Sequence, residues 1–295
     1  SNKSPPEPFN TSKLLQTSSS LLSISPTDTM KLCQILYQDG LITYMRTDSK
    51  KYSEDFLKNV EKYVIEKHGE RYIGYLDRVM KKDNKDPHEA IRVTDIKLSS
   101  IKRETRINNL YKLIWTNTIE STMSDAVYNV VDCIITAPND YKYKNTIESP
   151  IFLGWKKIKS KEDETQVQNA NNGLLMYLNT IEKQKTNVIY NKITSNEIVH
   201  KNHSHYNECN LIKKLEDLEI GRPSTFSTFV DTIQQRGYVK KQNVEGEKLQ
   251  IINITLEEEK ITKKKEEKII GNENNKLVIQ PIGIMVIEFL LKYFE

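Results

Sequence analysis

Apolar residues recur at helical spacing in two distant parts of the chain. One apolar stripe consists of Leu32, Ile35 and Leu36, and the other of Phe226, Phe229, Val230 and Ile233. This spacing of three and four residues predicts two amphipathic helices that each bury one face. Ser25 and Pro26 stand just before the first stripe, where a capping serine and a proline at the first helical position favour a helix start.

Both stripes belong to an internal repeat. Residues 9–44 align without a gap with residues 206–241, and each copy has a proline before the stripe and a glycine after it, Gly40 or Gly237. Each copy shows a helix, a turn, a second helix and a short apolar strand, which is the order of elements in a winged helix-turn-helix. Two helical hairpins that are alike without a shared architecture are the alternative interpretation.

Between and beyond the two copies, the pattern predicts further helices, strands and loops. Helices are expected from a cap at Ser53 to about Gly69, over residues 108–126, and within the closing segment 277–295. β-Branched residues separated by turn residues predict strands at 127–137, 141–147, 150–158, 174–179 and 186–199. The polar segments 160–173 and 256–268 are expected to be a surface loop and a charged excursion of a wing.

Together these elements predict an α+β fold in three parts. Residues 9–104 are expected to form a first winged-helix module, and residues 201–295 part of a second. Residues 105–200 are expected to form a β-rich hinge or arch that joins the two modules.

Composition and charge narrow the class of protein. No run of about 18 apolar residues occurs, so no membrane segment is expected. The opening SNKSPPEPFN has no basic or apolar signal region, and the three widely spaced cysteines suit neither a disulfide framework nor a zinc site. We therefore expect an intracellular protein that is not secreted. The formal net charge of +4 allows a polyanionic partner without requiring one.

Two segments of the first module carry candidate chemistry. In GLITYMRTDS, Tyr44 ends an apolar strand and is followed by Arg46 and Asp48, so the phenol is a packing group, a binding contact or a nucleophile. In PHEAIRVT, His88 and Arg92 lie four residues apart, on one face if the segment is helical. Taken singly, each of these patterns also fits an ordinary solvated surface.

A third segment lies in the second copy of the repeat. In EIGRPSTF, Arg222, Ser224 and Thr225 surround Pro223, which is expected to open a helix whose free N–H groups attract phosphate. The three segments together supply a phenol, guanidinium groups and a helix N-terminus. Chemistry on a phosphodiester requires groups of these kinds.

With these segments in place, the chain closely resembles the type IA DNA topoisomerases. The motifs that carry the resemblance follow the family's order and are EPFNTSKLLQTSSSLL, GLITYMRTDS, HEAIR, LYKLIW, FLGW, YNECNLIKKLEDL and IGRPSTF with IQQRGYV. Several independent motifs in the right order are far more specific than any one alone. The resemblance implies ATP-independent cleavage of one DNA strand, passage of another strand and resealing, which relaxes negatively supercoiled DNA.

The resemblance also implies roles for single residues. Tyr44 would attack a DNA phosphodiester and become attached to the 5′ phosphate, and Arg46 would stabilise charge on the scissile phosphate. Asp48 would orient Arg46, although a turn or helix cap is an equal alternative for Asp48 and Ser49. Contacts to DNA are implied for His88, Arg92, Arg222, Ser224 and Thr225.

Metal binding is expected elsewhere in the complete enzyme. The family carries a TOPRIM domain whose acidic residues bind Mg²⁺, and no such acidic motif precedes Tyr44. The resemblance therefore implies a monomeric gate fragment that lacks TOPRIM, binds single-stranded DNA and cleaves it weakly or not at all by itself. His200, His203 and His205 form a cluster, but no carboxylate is spaced to complete a metal site with them.

Two other classes of protein stay open. Paired winged helices also occur in non-catalytic modules that bind single-stranded DNA. Tyrosine recombinases and type IB enzymes use arginine, histidine and tyrosine as well, but their tyrosine follows the basic residues, whereas Tyr44 precedes them here. A phosphotyrosine at a 5′ rather than a 3′ phosphate would separate these enzymes from the type IA class.

Overall fold

The computed structural model describes residues 1–82, 88–160, 173, 175–183, 189–200 and 203–294. The chain forms two compact units, Ser1–Thr186 and Asn187–Glu295. Helices combine with small antiparallel sheets, which confirms the predicted α+β class. The division into three parts at 9–104, 105–200 and 201–295 stays a prediction.

The first unit is built on four long helices. They are α1 (Thr11–Leu22), α2 (Pro26–Gln38), α3 (Glu54–His68) and α4 (Thr105–Glu120). Helices α1, α2 and α4 pack against one another. Their buried stripes, at most 1% exposed, include Leu14, Leu15, Leu36, Leu110 and Ile114. Burial of these apolar faces supplies most of the stability of such helices.

The predicted serine caps differ in outcome. The Asp28 N–H donates to the Ser25 hydroxyl at 3.1 Å, so Ser25 caps α2 as predicted. Ser53 stands at the start of α3, but its hydroxyl makes no capping hydrogen bond. Gly69 follows the last residue of α3, where the sequence predicted the end of that helix.

A three-stranded antiparallel sheet completes the first unit. Its strands are β1 (Asn2–Lys3), β2 (Ala126–Thr136) and β3 (Lys142–Phe152), in that order. The prediction of two strands at 141–147 and 150–158 was wrong, because Lys142–Phe152 is one strand that pairs with β2, with a bulge at Ile151 near its end.

The chain leaves β3 through a turn that requires glycine. Gly154 opens a 3₁₀ helix (Gly154–Ile158) and has a φ of +50°. A Cβ at this position would lie 2.3 Å from the Asp125 carbonyl oxygen. Both the backbone conformation and the close approach therefore exclude a larger residue.

A second predicted strand was also wrong. Helix α5 covers residues 175–183, where a strand was expected at 174–179. The sequence LLMYLN is dominated by leucine and methionine, which are not branched at Cβ and favour helix over strand. The predicted loop at 160–173 lies largely outside the described residues.

The second unit has helices α6 (Glu208–Asp217), α7 (Phe226–Gln235) and α8 (Pro281–Phe294). Its strands are β4 (Lys192–Asn196), β5 (Val239–Val244), β6 (Glu247–Glu257), β7 (Lys260–Ile270) and β8 (Glu273–Ile279). They form two antiparallel sheets, β4-β6-β7 and β5-β8. The charged segment 256–268 is the end of β6 and most of β7, and its side chains are largely exposed. Strand β4 and helix α8 confirm the elements expected within 186–199 and 277–295.

The hairpins α1–α2 and α6–α7 begin and end with equivalent backbone geometry. Asn10 and Asn207 cap α1 and α6, and each side chain accepts a hydrogen bond from the N–H three residues on, at 2.8 and 2.7 Å. Gly40 and Gly237 follow α2 and α7, and both have a φ of +70°. These residues occupy the same positions in the two copies of the sequence repeat.

The two hairpins differ at the start of the second helix. Pro26 is the first residue of α2, but α7 begins at Phe226, so the prediction that Pro223 opens a helix was wrong. The N–H groups of Thr225 and Phe226 both donate to the Arg222 carbonyl, at 2.8 and 3.2 Å. Residues 223–225 therefore form a separate turn before the helix.

Candidate active site

Tyr44 lies in an extended segment that joins α2 to α3. The Thr43 N–H donates to the Arg92 carbonyl at 2.9 Å, and the Arg92 N–H donates to the Thr43 hydroxyl at 3.0 Å. The Thr43 hydroxyl donates in turn to the Ala90 carbonyl at 2.9 Å. These bonds fix the backbone directly before Tyr44 to the segment that carries His88 and Arg92.

Thr11, the first residue of α1, fixes the backbone after Tyr44. Its hydroxyl donates to the Met45 carbonyl at 2.7 Å, and the Thr47 N–H donates to that hydroxyl at 2.9 Å. The Thr11 N–H also donates to the Thr47 carbonyl at 2.9 Å. Thr11, Met45 and Thr47 are at most 2% exposed, so the positions of these bonds are set by packing as well.

Burial alternates along this segment, as expected of an extended chain. Met45 and Thr47 are buried, whereas Tyr44 and Arg46 are partly exposed and Asp48 is exposed. The fixed backbone therefore presents Tyr44, Arg46 and Asp48 at the surface of the first unit.

The ring of Tyr44 has two aromatic neighbours. The His88 ring lies with its centroid 5.7 Å away at an interplanar angle of 41°. The Tyr37 ring, from the last turn of α2, lies 5.3 Å away at 63°, an edge-to-face arrangement. Sequence reasoning missed Tyr37, although its place just before Gly40 puts it on the last turn of a predicted helix, seven residues from Tyr44.

Within the described residues, the polar ends of Tyr44, Arg46 and Asp48 make no hydrogen bond or ion pair. Asp48 therefore makes no hydrogen bond or ion pair with Arg46 here, and a role for Asp48 in orienting Arg46 stays a prediction. Ser49 takes part in a turn, because its N–H donates to the Thr47 hydroxyl at 3.0 Å. An unpaired guanidinium beside a tyrosine is available to bind an anion.

The condition under which His88 and Arg92 would share a helical face is not met, because the segment is not helical. The segment is extended, and Ile91 and Val93 make antiparallel bridges with Phe9 and Ile42. Pairing on both sides holds this chain in place of a helix, because successive bridges require an extended backbone. Of these two residues, His88 has its ring beside the Tyr44 ring.

Arg92 is engaged with the protein itself. Its Nε and Nη2 donate to the two carboxylate oxygens of Glu89 at 2.8 and 3.2 Å, and its Nη1 donates to the Val93 carbonyl at 3.1 Å. The guanidinium lies 3.8 Å from the centroid of the Phe56 ring, and the side chain is 12% exposed. A DNA contact for Arg92 stays a prediction, and the contacts present give it a structural role.

Glu89 ties this cluster to α3. Burial by itself would raise the pKa of Glu89, but the hydrogen bonds and charge of Arg92, together with the Ser53 N–H, outweigh burial and lower the pKa. The Ser53 N–H donates to the carboxylate at 3.1 Å. Glu89 is thus held ionised. Sequence reasoning did not include Glu89 among the site residues.

The other predicted contacts lie in the second unit. Arg222 and Ser224 are exposed on the turn before α7, and the Arg222 N–H donates to the Thr225 hydroxyl at 2.9 Å. Gly221 allows this turn, because its φ is +87° and a Cβ would lie 2.8 Å from the Phe229 ring. The three predicted residues thus occupy one tight turn.

The described residues do not fit a metal site. No group of three or more histidine, cysteine, aspartate or glutamate side chains in this part of the chain could hold an ion. His205 instead approaches Glu273, with Nδ1 2.6 Å from a carboxylate oxygen. We therefore derive no step through a metal from these residues. In the described part of the chain, no helix has the length and apolar character needed to cross a membrane.

A sequence model of the DNA topoisomerase family matches residues 1–265. The chain belongs to this DNA topoisomerase family. The resemblance to type IA enzymes is thereby confirmed, and two curated relatives agree with it. The prokaryotic-type DNA topoisomerase 1 of Acanthamoeba polyphaga mimivirus is 32% identical over 99% of this chain, and DNA topoisomerase 1 of Buchnera aphidicola is 34% identical over 85% of it.

A solved structure agrees as well. The full-length topoisomerase I of Thermotoga maritima is similar to this chain with a TM-score of 0.67 and 25% identity. That similarity covers 100% of this chain and 43% of the other. The chain spans 36% and 29% of the length of the mimivirus and Buchnera topoisomerases.

Proposed function

We propose that this chain carries the strand-cleaving tyrosine of a type IA DNA topoisomerase, and that Tyr44 is the nucleophile. One observation carries the proposal. Tyr44 and Arg46 are presented next to each other on a backbone fixed by Thr11 and Thr43, and their polar ends are left unpaired by the described residues. Membership of the family agrees with it, and the curated relatives are named DNA topoisomerases.

The proposed reaction exchanges one phosphate ester for another. The phenol oxygen of Tyr44 attacks the phosphorus, a bond forms between them, and the bond from phosphorus to the 3′ oxygen breaks. The phenol loses its proton and the departing 3′ oxygen gains one, which leaves a 5′-phosphotyrosine and a free 3′ hydroxyl. Resealing is the reverse, and no ATP is needed because the ester linkage is conserved.

The chain's own residues would favour this step in two ways. Arg46 is always protonated and can donate to two phosphoryl oxygens, so it would neutralise charge that develops on them. His88 touches the Tyr44 ring and is placed to contact the DNA backbone beside it. In the second unit, Arg222, Ser224 and Thr225 would bind the same class of substrate, single-stranded DNA, through its phosphates.

We further propose that the two helical hairpins are winged-helix modules. Their matching caps at Asn10 and Asn207 and their matching glycines support a shared architecture. The β-rich segment between them would act as the arch that lets the modules separate while a strand passes, and the result would be relaxation of negatively supercoiled DNA. In this proposal, any Mg²⁺ that the reaction needs is bound by other parts of the enzyme and not by these residues.

The test is covalent trapping on single-stranded DNA labelled at its 5′ or 3′ end. The chain is mixed with the DNA, alone or with a separately supplied TOPRIM domain and Mg²⁺, and then denatured. We expect an adduct through the 5′ phosphate that Tyr44→Phe abolishes. Tyr75→Phe is the matched control, because Tyr75 is 73% exposed and distant in sequence from the proposed site.

Other outcomes assign the chain to other classes. A 3′-phosphotyrosine would indicate chemistry of the recombinase or type IB kind. DNA binding without any adduct, even with TOPRIM and Mg²⁺ present, would indicate a non-catalytic DNA-binding module of the same fold.

A further inference from the structure

We infer that Tyr37 is a positioning residue for Tyr44, which it holds by edge-to-face contact between the two rings. The inference rests on the proposed function of Tyr44 and adds a residue that the family motifs around Tyr44 did not single out. The two ring centroids lie 5.3 Å apart at 63°. Tyr37 lies in the last turn of α2, which ends at Gln38, and its side chain is 41% exposed.

The buried packing of α2 does not include Tyr37. The buried residues of α2 are Pro26, Thr29, Met30, Cys33 and Leu36. Tyr37 lies four residues after Cys33, on the same side of α2, but it is 41% exposed and is not among the residues that this packing buries. An exposed tyrosine whose identified ring partner is the proposed nucleophile is better explained by the site than by the helix.

The second hairpin supplies an internal comparison. The sequence repeat pairs Tyr37 with Gln234 and Tyr44 with Lys241. Gln234 and Lys241 both bind Glu208, at 3.1 Å to Oε1 and 2.9 Å to Oε2. The same two positions are therefore linked in both hairpins, in the second through a carboxylate and in the first through a direct ring contact.

The first hairpin has no carboxylate that could join the two positions as Glu208 does in the second. The position of Glu208 is occupied by Thr11, whose hydroxyl is already committed to the Met45 carbonyl and the Thr47 N–H. Thr11 fixes the backbone of the segment, and Tyr37 is left to fix the ring. Together with His88, this gives the Tyr44 ring an aromatic neighbour from each of two different chain segments.

Restraint of the ring matters for the proposed reaction. The Tyr44 side chain has two rotatable bonds before its ring, so a fixed backbone alone does not fix the hydroxyl. Displacement of a reacting group by about 1 Å can cost about a hundredfold in rate. Loss of Tyr37 should therefore slow the covalent step and leave DNA affinity unchanged, because affinity depends on phosphate contacts elsewhere.

The first arm of the test needs no catalysis. The full chain is labelled with 3-fluorotyrosine, and the ¹⁹F resonance of Tyr44 is assigned by its loss in Tyr44→Phe. Tyr37→Gln, which installs the residue of the second hairpin, should move this resonance, and Tyr37→Phe, which keeps the ring, should move it far less. An unmoved Tyr44 resonance in Tyr37→Gln overturns the inference whatever the trapping assay shows.

The second arm measures the rate of adduct formation and the Kd for single-stranded DNA. Tyr37→Gln should slow adduct formation by about tenfold to a hundredfold with a Kd within about twofold of the unmodified chain, and Tyr37→Phe should restore most of the rate. A parallel loss of affinity would make Tyr37 a DNA contact and overturn the positioning role. These rates are measured with the TOPRIM domain and Mg²⁺ supplied. If the unmodified chain forms no adduct under these conditions, the proposed function fails, and the fluorine resonance alone decides whether Tyr37 holds Tyr44.

Discussion

At the scale of single residues, the candidate site depends on polar side chains buried behind it. Thr11 binds the backbone on one side of Tyr44, and Glu89 holds Arg92 against Phe56. Asn117 on α4 accepts from the Phe9 N–H and donates to the Glu7 carbonyl, both at 3.1 Å, so it fixes the chain that leads into α1. Buried polar groups need such partners, and here the partners position the exposed ones.

Glu120 is a buried acid whose effect on the free energy of unfolding can be measured. Its side chain is 3% exposed; one oxygen accepts from Lys159 at 3.0 Å, and the other lies 3.0 Å from the same ammonium without a well-directed hydrogen bond. Burial raises the pKa of Glu120 above its ordinary 4.5, and Lys159 offsets only part of that effect. The folded state therefore binds the proton more tightly than the unfolded state, and stability falls as pH rises from about 4.5 through the raised pKa.

We predict that Glu120→Gln raises the free energy of unfolding at pH 7 by about 1 kcal/mol and has little effect near pH 4. Denaturant unfolding at the two pH values measures the difference. Glu54→Gln is the control, because the exposed Glu54–Lys58 pair should matter little at either pH. A loss of stability at pH 7 would mean that the bond to Lys159 outweighs the cost of burial.

At the scale of elements, the two helical hairpins share their backbone geometry but not the side chains of the candidate site. The hairpins α1–α2 and α6–α7 share asparagine caps and glycines at a φ of +70°, yet Tyr44 and its aromatic neighbours occur in the first alone. The hairpin is thus a scaffold, and its chemistry depends on which side chains occupy equivalent positions.

We predict that Gly40→Ala and Gly237→Ala each lower the stability of their hairpin by about 1 kcal/mol. Nothing lies within 4 Å of a Cβ at either position, so the cost comes from the left-handed backbone and not from a clash. Gly→Asn should cost less, since asparagine tolerates this conformation. Native-state hydrogen exchange of α2 and α7 reports the two hairpins separately. A cost at one glycine without a cost at the other would show that the two helix ends are not equivalent.

At the scale of the whole molecule, basic and acidic residues nearly balance. The formal net charge is +4, so affinity for single-stranded DNA should come from a few placed cations and not from a general positive field. Many lysines and arginines are already paired with acids, among them Arg103 with Asp39 and Arg106 with Asp28. Arg46 is among the cations that no described residue pairs with.

We predict that Arg46→Gln and Arg222→Gln each flatten the dependence of log K on log salt by about 0.7, the value for one phosphate contact on a single strand. Titrations of labelled single-stranded DNA at several salt concentrations measure this slope. Arg106→Gln is the control and should leave the slope unchanged, since that guanidinium lies 2.8 Å from Asp28. An unchanged slope in either test variant would remove that arginine from the DNA contacts.

The differences between the sequence-based expectations and the structure have identifiable physical causes. A strand was expected at 174–179, but residues 175–183 form a helix. The prediction gave too much weight to apolar character and too little to the helical preference of leucine and methionine. The segment that carries His88 and Arg92 is extended and not helical, because pairing with Phe9 and Ile42 overrides a spacing of four residues. Spacing alone cannot distinguish these cases, since it contains no information about distant partners.

The sequence by itself determined the helices with clear apolar stripes, the cap at Ser25, the glycines at helix ends and the family. The first three depend on residues that are close together in the chain, and the family depends on motifs read in order. Tertiary structure decided the surroundings of Tyr44. The bonds from Thr11 to Met45 and Thr47, the contact with His88 and the pairing of Glu89 with α3 join segments that are far apart in sequence. Such contacts arise only when helices and extended segments pack, so no local pattern encodes them.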